Sequence, residues 1–124
     1  MTKEKGLIIG SILMVIGISI GAFGAHGLKD ILEENGTLST FQTGVEYLFY
    51  NSIGILIISL SGKDNKMKSF AIISIILGII LFSFSLFTLS ITGIKAIGII
   101  TPFGGLSMII GWILFIMSLK TNKN

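Results

Sequence analysis

GLIIGSILMVIGISIGAFGA, residues 6–25, runs twenty residues without a charged side chain, and Lys3 and Lys5 stand just ahead of it. As a helix rising 1.5 Å per residue it covers about 30 Å, the thickness of a bilayer's hydrocarbon core. A cleavable secretory signal is the rival reading, because Ala22-Phe23-Gly24 is a small-x-small pattern behind a basic start. The run is longer than a signal core, however, and three more apolar runs follow. It therefore reads as the first of four membrane spans. On a helical wheel Gly6, Gly10, Gly17, Gly21 and Gly24 fall within a sector of about 60°, a ridge that lets a neighbouring helix backbone approach closely.

The run ends in GAFGAHGLK, residues 21–29, which holds the only histidine, His26. Beyond it, residues 27–36 place Leu28, Ile31 and Leu32 on one side and Lys29, Asp30, Glu33 and Glu34 on the other. This pattern, closed by Gly36, predicts a short amphipathic helix in the interface plane. Ser39 and Gln42 have capping-box spacing for the next helix. The remaining spans are expected at about residues 41–60, 69–92 and 97–119. Residues 62–68, carrying Lys63, Asp64, Lys66 and Lys68, form the clearest polar break. Pro102, followed by Gly104 and Gly105, predicts a kinked or broken start to the fourth span.

Composition agrees with an all-α polytopic membrane protein in a single domain. The chain is 52% hydrophobic and 12% charged, with a mean hydropathy of +0.94, where a soluble domain has about a quarter of its residues charged. The net charge of +3 comes from nine lysines and six acids, with no arginine. Most lysines flank apolar runs, which is a topology signal and not a nucleic-acid-binding tract. Lys3, Lys5, Lys63, Lys66, Lys68, Lys120 and Lys123 fall on one side of a four-span layout, and only Lys29 and Lys95 on the other. The positive-inside rule then places both termini in the cytoplasm of a cell-membrane protein.

The third span carries two small or weakly polar faces. Ser74, Gly78, Ser85, Thr88 and Thr92 share one sector, and Ser83 and Ser90 lie opposite. Two such faces suggest an internal contact plus an oligomer contact, unless the hydroxyls bond their own helix. In the fourth span Gly104, Ser107, Gly111 and Ser118 share a face, with mid-span Trp112 beside it. Its indole N–H is expected to find a partner inside the bundle.

GAFGAH at residues 21–26, QTGVEY at 42–47, LFSFSL at 81–86 and TPFGGLSMIIGW at 101–112 resemble the YgdD- and YwdK-like family of small membrane proteins, known only as a domain of unknown function. The resemblance covers nearly the whole chain. It implies a four-helix integral membrane protein without a known substrate, cofactor or catalytic residue. Bacterial members often have histidine where this chain has Asn51, a departure that argues against a second imidazole there.

Few residues can carry chemistry. His26, Glu46 and Lys95 are the ionisable groups expected at one membrane face, with Tyr47, Tyr50 and Asn51 one turn away. They are the candidates for a polar latch, in which Glu46, in the first turns of its helix, fixes the His26 corner. A His–Glu proton relay is the sharper alternative. A metal site needs about three good ligands, which this set lacks, and no cysteine is present. No nucleophile elbow or phosphate loop occurs, so neither enzyme nor cofactor is expected. The leading reading is a non-enzymatic module that packs, in the lipid bilayer, against a second copy or another membrane protein. The alternative is an oligomeric small-solute or ion conduit using Glu46 and Asn51, recognisable by a continuous polar cavity that also takes in Ser85.

Overall fold

A computed structural model of the chain describes residues 1–121. Four helices are long and apolar enough to cross a membrane. They are α1 (Lys3–Gly27), α3 (Leu38–Leu60), α4 (Lys66–Thr92) and α5 (Thr101–Thr121). The short α2 (Lys29–Asn35) joins α1 to α3, and a 3₁₀ turn (Lys95–Ile99) joins α4 to α5.

Local chemistry sets most of the boundaries. Thr2 caps α1, its hydroxyl accepting from the Lys5 backbone N–H at 3.2 Å, and Asn65 caps α4 by accepting from Lys68 N–H at 2.8 Å. Gly36 and Gly93 end α2 and α4 in left-handed conformation, at φ 64° and 73°, which glycine adopts without strain. Pro102 is the second residue of α5, where its missing N–H costs nothing, and the 3₁₀ turn ahead of it breaks the start of the fourth span. The Ser39–Gln42 capping box does not form. The helix starts earlier, after Thr37, whose hydroxyl instead donates to the Ser90 carbonyl at 2.7 Å. That earlier start also moves Glu46 from the first turns of its helix to the third.

Two features had no sequence signal. α1 and α4 each contain one π-helical turn, Ile20–Gly24 and Ile80–Phe84, in their second halves. Such turns insert a residue and change the phase of a helix face.

α1 packs on α3 through the glycine ridge. Gly6 lies against Ser59, Gly10 against Leu56, Gly17 against Phe49, Gly21 against Val45 and Gly24 against Phe41. α5 packs on α4 more closely still, with Gly78 against the Gly104 carbonyl, Gly104 against the backbone of Leu81 and Phe82, and Gly111 against the Ala71 carbonyl. Between α3 and α4 lies the apolar core, where Leu48, Ile55, Ile58, Ile72, Ile75 and Ile79 are buried, with Leu32 of α2 packed against it. α1 and α5 are the most exposed spans and α3 and α4 the most buried.

Both polar faces of α4 make hydrogen bonds within the chain, although the buried Ser90 hydroxyl has no partner among the described residues. Ser74 and Ser107 exchange hydroxyl-to-carbonyl bonds of 2.7 Å, and Ser85 and Thr101 pair their hydroxyls at 2.7 Å. On the opposite side Ser83 donates to the Gly44 carbonyl at 2.7 Å. Thr88 and Thr92 bond their own helix.

Candidate functional site

None of the four latch candidates is hydrogen-bonded or ion-paired to another. His26, on the last turn of α1, is exposed, and Lys95, opening the 3₁₀ turn, is exposed as well. Glu46 is exposed on α3 and borders a depression of about 400 Å³ shared with Gly21, Ala25, Gln42 and Val45. Among the described residues no hydrogen bond or ion pair joins the side chains of His26, Glu46 and Lys95 to one another or to anything else. Asn51 alone of the four is embedded in a network.

That network bridges α3 and α5. The Trp112 indole N–H donates to Asn51 Oδ1 at 3.0 Å, so the indole finds a partner inside the bundle, and Asn51 Nδ2 donates to the Tyr47 carbonyl one turn back at 2.8 Å. Asn51 is 5% exposed. Gly54 makes room for the indole ring, since a Cβ there would run into it. Around this bridge the two helices stand apart and leave an apolar groove of about 680 Å³, walled by Tyr47, Tyr50, Phe82, Met108 and Trp112 and continuing along Ile109, Ile113 and Ile116. Tyr47 packs against Phe82 with the rings 4.7 Å apart and tilted by 45°, and meets Tyr50 edge to face at 5.8 Å. Glu46, Asn51 and Ser85 thus lie in three different settings: an outer depression, a bridged groove and the α4–α5 contact.

A second polar cluster was not expected from the sequence. Lys68, at the end of the expected polar break at 62–68, lies instead in the first turn of α4 and is 2% exposed, its ammonium donating to the Ser59 carbonyl at 3.0 Å and to Asp64 Oδ1 at 3.3 Å. The signals for it were the i,i+4 spacing from Asp64 and the Asn65 cap three residues ahead. The Lys3 backbone N–H donates to Asp64 Oδ2 at 3.2 Å, and the Met1 ammonium donates to Ser69 Oγ. The Lys3 amide first, and then Lys68, hold the Asp64 carboxyl below its ordinary range. This ties the start of α1 to the α3–α4 loop, and Lys120 ends α5 on that same side; Lys123 lies outside the described residues.

No group of three or more His, Asp or Glu side chains among the described residues could hold a metal. The geometry of the described residues offers hydrogen bonding and close apolar packing.

The chain is similar to membrane proteins that share its length. It is 37% identical over 113 residues to a UPF0382 membrane protein of Staphylococcus haemolyticus, covering 90% of this chain and 92% of that one. It is 36% identical over 115 residues to the UPF0382 membrane protein YwdK of Bacillus subtilis, covering 90% and 93%. A UPF0382 membrane protein of Haemophilus influenzae is 40% identical over 112 residues, covering 90% of each chain. No solved structure matches. The family model described as "Protein of unknown function (DUF423)" matches residues 20–105, which take in the end of α1, the groove-forming part of α3, all of α4 and the broken start of α5, and the chain belongs to that family of membrane proteins.

Proposed function

We propose that the protein is a non-enzymatic membrane module that binds a second copy of itself or another membrane protein through the face carrying Gln42 and Glu46. The observation that carries this is the position of Glu46: an exposed acid eight residues into a spanning helix, with no partner among the described residues. Eight residues amount to about 12 Å of depth. A carboxylate well inside the hydrocarbon costs about 2.5–3.5 kcal/mol on insertion scales, so a partner's donor is the natural complement. Gly21 and Ala25 keep the neighbouring surface low enough for another helix to sit beside it. The separation of Glu46, Asn51 and Ser85 weighs against a conduit, because a solute path would have to join them. The lysine distribution supports cytoplasmic termini, and a reporter fused after Asn124 should be active only in the cytoplasm.

Because the chain has no cysteine, single-cysteine crosslinking in native vesicles is a clean test. Ala25→Cys should give a disulfide-linked product, to itself or to a partner, that disappears with Glu46→Leu, and Ile12→Cys should give none. Equal crosslinking at both positions, or a proton or solute flux in proteoliposomes abolished by Glu46→Gln, would reject the module in favour of nonspecific contact or a conduit.

A further inference from the structure

The groove between α3 and α5 holds two phenols in a setting where lipid cannot serve them. Tyr47 and Tyr50 are 41% and 60% exposed, and neither hydroxyl has a hydrogen-bond partner among the described residues. They flank Phe49, the midpoint of the 23-residue α3. Tyr47 lies about 13 and 20 Å from the two helix ends and Tyr50 about 18 and 15 Å, so even a side chain leaning a full turn, about 5.4 Å, stays within the hydrocarbon. Phospholipid ester carbonyls and interfacial water are therefore out of reach, and an unpaired hydroxyl in hydrocarbon costs several kcal/mol. The acceptor has to be brought into the membrane interior by an apolar molecule.

The rest of the groove describes that molecule. Tyr47, Tyr50, Phe82 and Trp112 supply aromatic surfaces for a flat ring. Asn51 fixes the Trp112 ring by accepting its N–H. Ile109, Ile113 and Ile116 extend the groove along α5 as a track for an apolar tail. The volume of about 680 Å³ falls within the range of roughly 300–1,000 Å³ usual for small-molecule sites. We infer that this groove binds a neutral, lipid-soluble molecule with carbonyl oxygens on a planar head and a hydrocarbon tail, the chemistry of an isoprenoid quinone, with the Tyr47 and Tyr50 hydroxyls donating to the carbonyls. Diacylglycerol also carries carbonyls on an apolar frame, but it has no ring to meet the aromatic walls. This inference stands apart from the Glu46 face and holds for a monomer as well as an assembly.

Trp112 is the only tryptophan and lines the groove, so its fluorescence reports occupancy. The full chain in nanodiscs of saturated phosphatidylcholine is titrated with decylubiquinone. Quenching should saturate, and Tyr47→Phe combined with Tyr50→Phe should raise the half-saturating mole fraction about tenfold, with helix content and Tm unchanged. Gly105→Leu fills the groove from the other side with little clash, since a Cβ there meets only the Phe82 ring at 3.8 Å, and should remove the saturable component. Quenching that rises linearly and equally in all three proteins is collisional and overturns the proposal. So does saturation untouched by the tyrosine changes, or a brominated diacylglycerol that quenches with the same tyrosine dependence as the quinone.

Discussion

The bundle is two helical hairpins, α1 with α3 and α4 with α5, and they are closed by different means. In the first, the glycines lie on one helix only and face mainly side chains: a Cβ at Gly17 would stand 3.1 Å from the Phe49 ring, one at Gly21 would stand 3.2 Å from a Val45 methyl, and only Gly10 also meets backbone, the Ser52 carbonyl at 3.3 Å. In the second, both helices contribute small residues and the glycines face backbone: a Cβ at Gly104 would stand 2.6 Å from the Leu81 carbonyl carbon, and one at Gly111 would stand 2.9 Å from the Ala71 carbonyl oxygen. A side-chain end can rotate away, whereas backbone can yield only by moving a helix. The same small-residue composition therefore produces one adjustable joint and one fixed joint, and the fixed one also carries the reciprocal serine bonds.

The largest break should come at the fixed joint. Gly104→Leu should cost about 3 kcal/mol or abolish the folded state, read as a large fall in Tm in detergent. Gly21→Leu should cost about 1–2 kcal/mol through overpacking of the first hairpin, with Ile18→Leu, on the exposed side of α1, near neutral. Equal losses at Gly104 and Gly21 would erase the distinction between the hairpins, and equal stability of Gly21→Leu and Ile18→Leu would remove the glycine ridge from the account. Smaller again is the serine exchange. Ser74→Ala and Ser107→Ala should each cost about 1 kcal/mol, and the double variant less than their sum, with a coupling of about 0.6 kcal/mol in a double-mutant cycle. Strict additivity would mean the two hydroxyls act separately.

The smallest expected effect lies at the loop between the hairpins. The folded-state pKa of Asp64 is lowered, chiefly by the Lys3 amide and then by Lys68. Its stabilising contribution is thus fully present above the ordinary carboxylate range and is lost as pH falls below about 4. Asp64→Asn should flatten the acid limb of the stability curve and leave stability at pH 7 only slightly lower. An unchanged acid limb would show that the loop carboxylate is not linked to folding.

The sequence made the four spans legible because apolar runs of about 20 residues with at most one charge have few other fates. The α1 contact face was legible because glycines at helical spacing fill one sector, and the Trp112 partner because a mid-membrane indole N–H requires one. Boundaries were less so. The Ser39–Gln42 spacing was outcompeted by Thr37, whose hydroxyl serves a carbonyl 53 residues away, and this displaced the estimated depth of Glu46. Lys68 was hidden among loop lysines because burial depends on the Ser59 carbonyl above it. Of the candidate site, the residue types were visible but not their pairing: Asn51 meets Trp112 across 61 residues, a distance no local pattern encodes.

The connector α2 has one more consequence. The Asn35 amide donates to the carbonyls of Ser90 and Ile91 at 3.1 and 3.2 Å, and Thr37 adds a third donor to Ser90. The end of a spanning helix normally relies on head-group water for these last carbonyls. Here donors for the Ser90 and Ile91 carbonyls come from the chain itself, so this end of α4 depends less on head-group water for them. The protein carries part of its own polar interface, which loosens the match it must make to bilayer thickness.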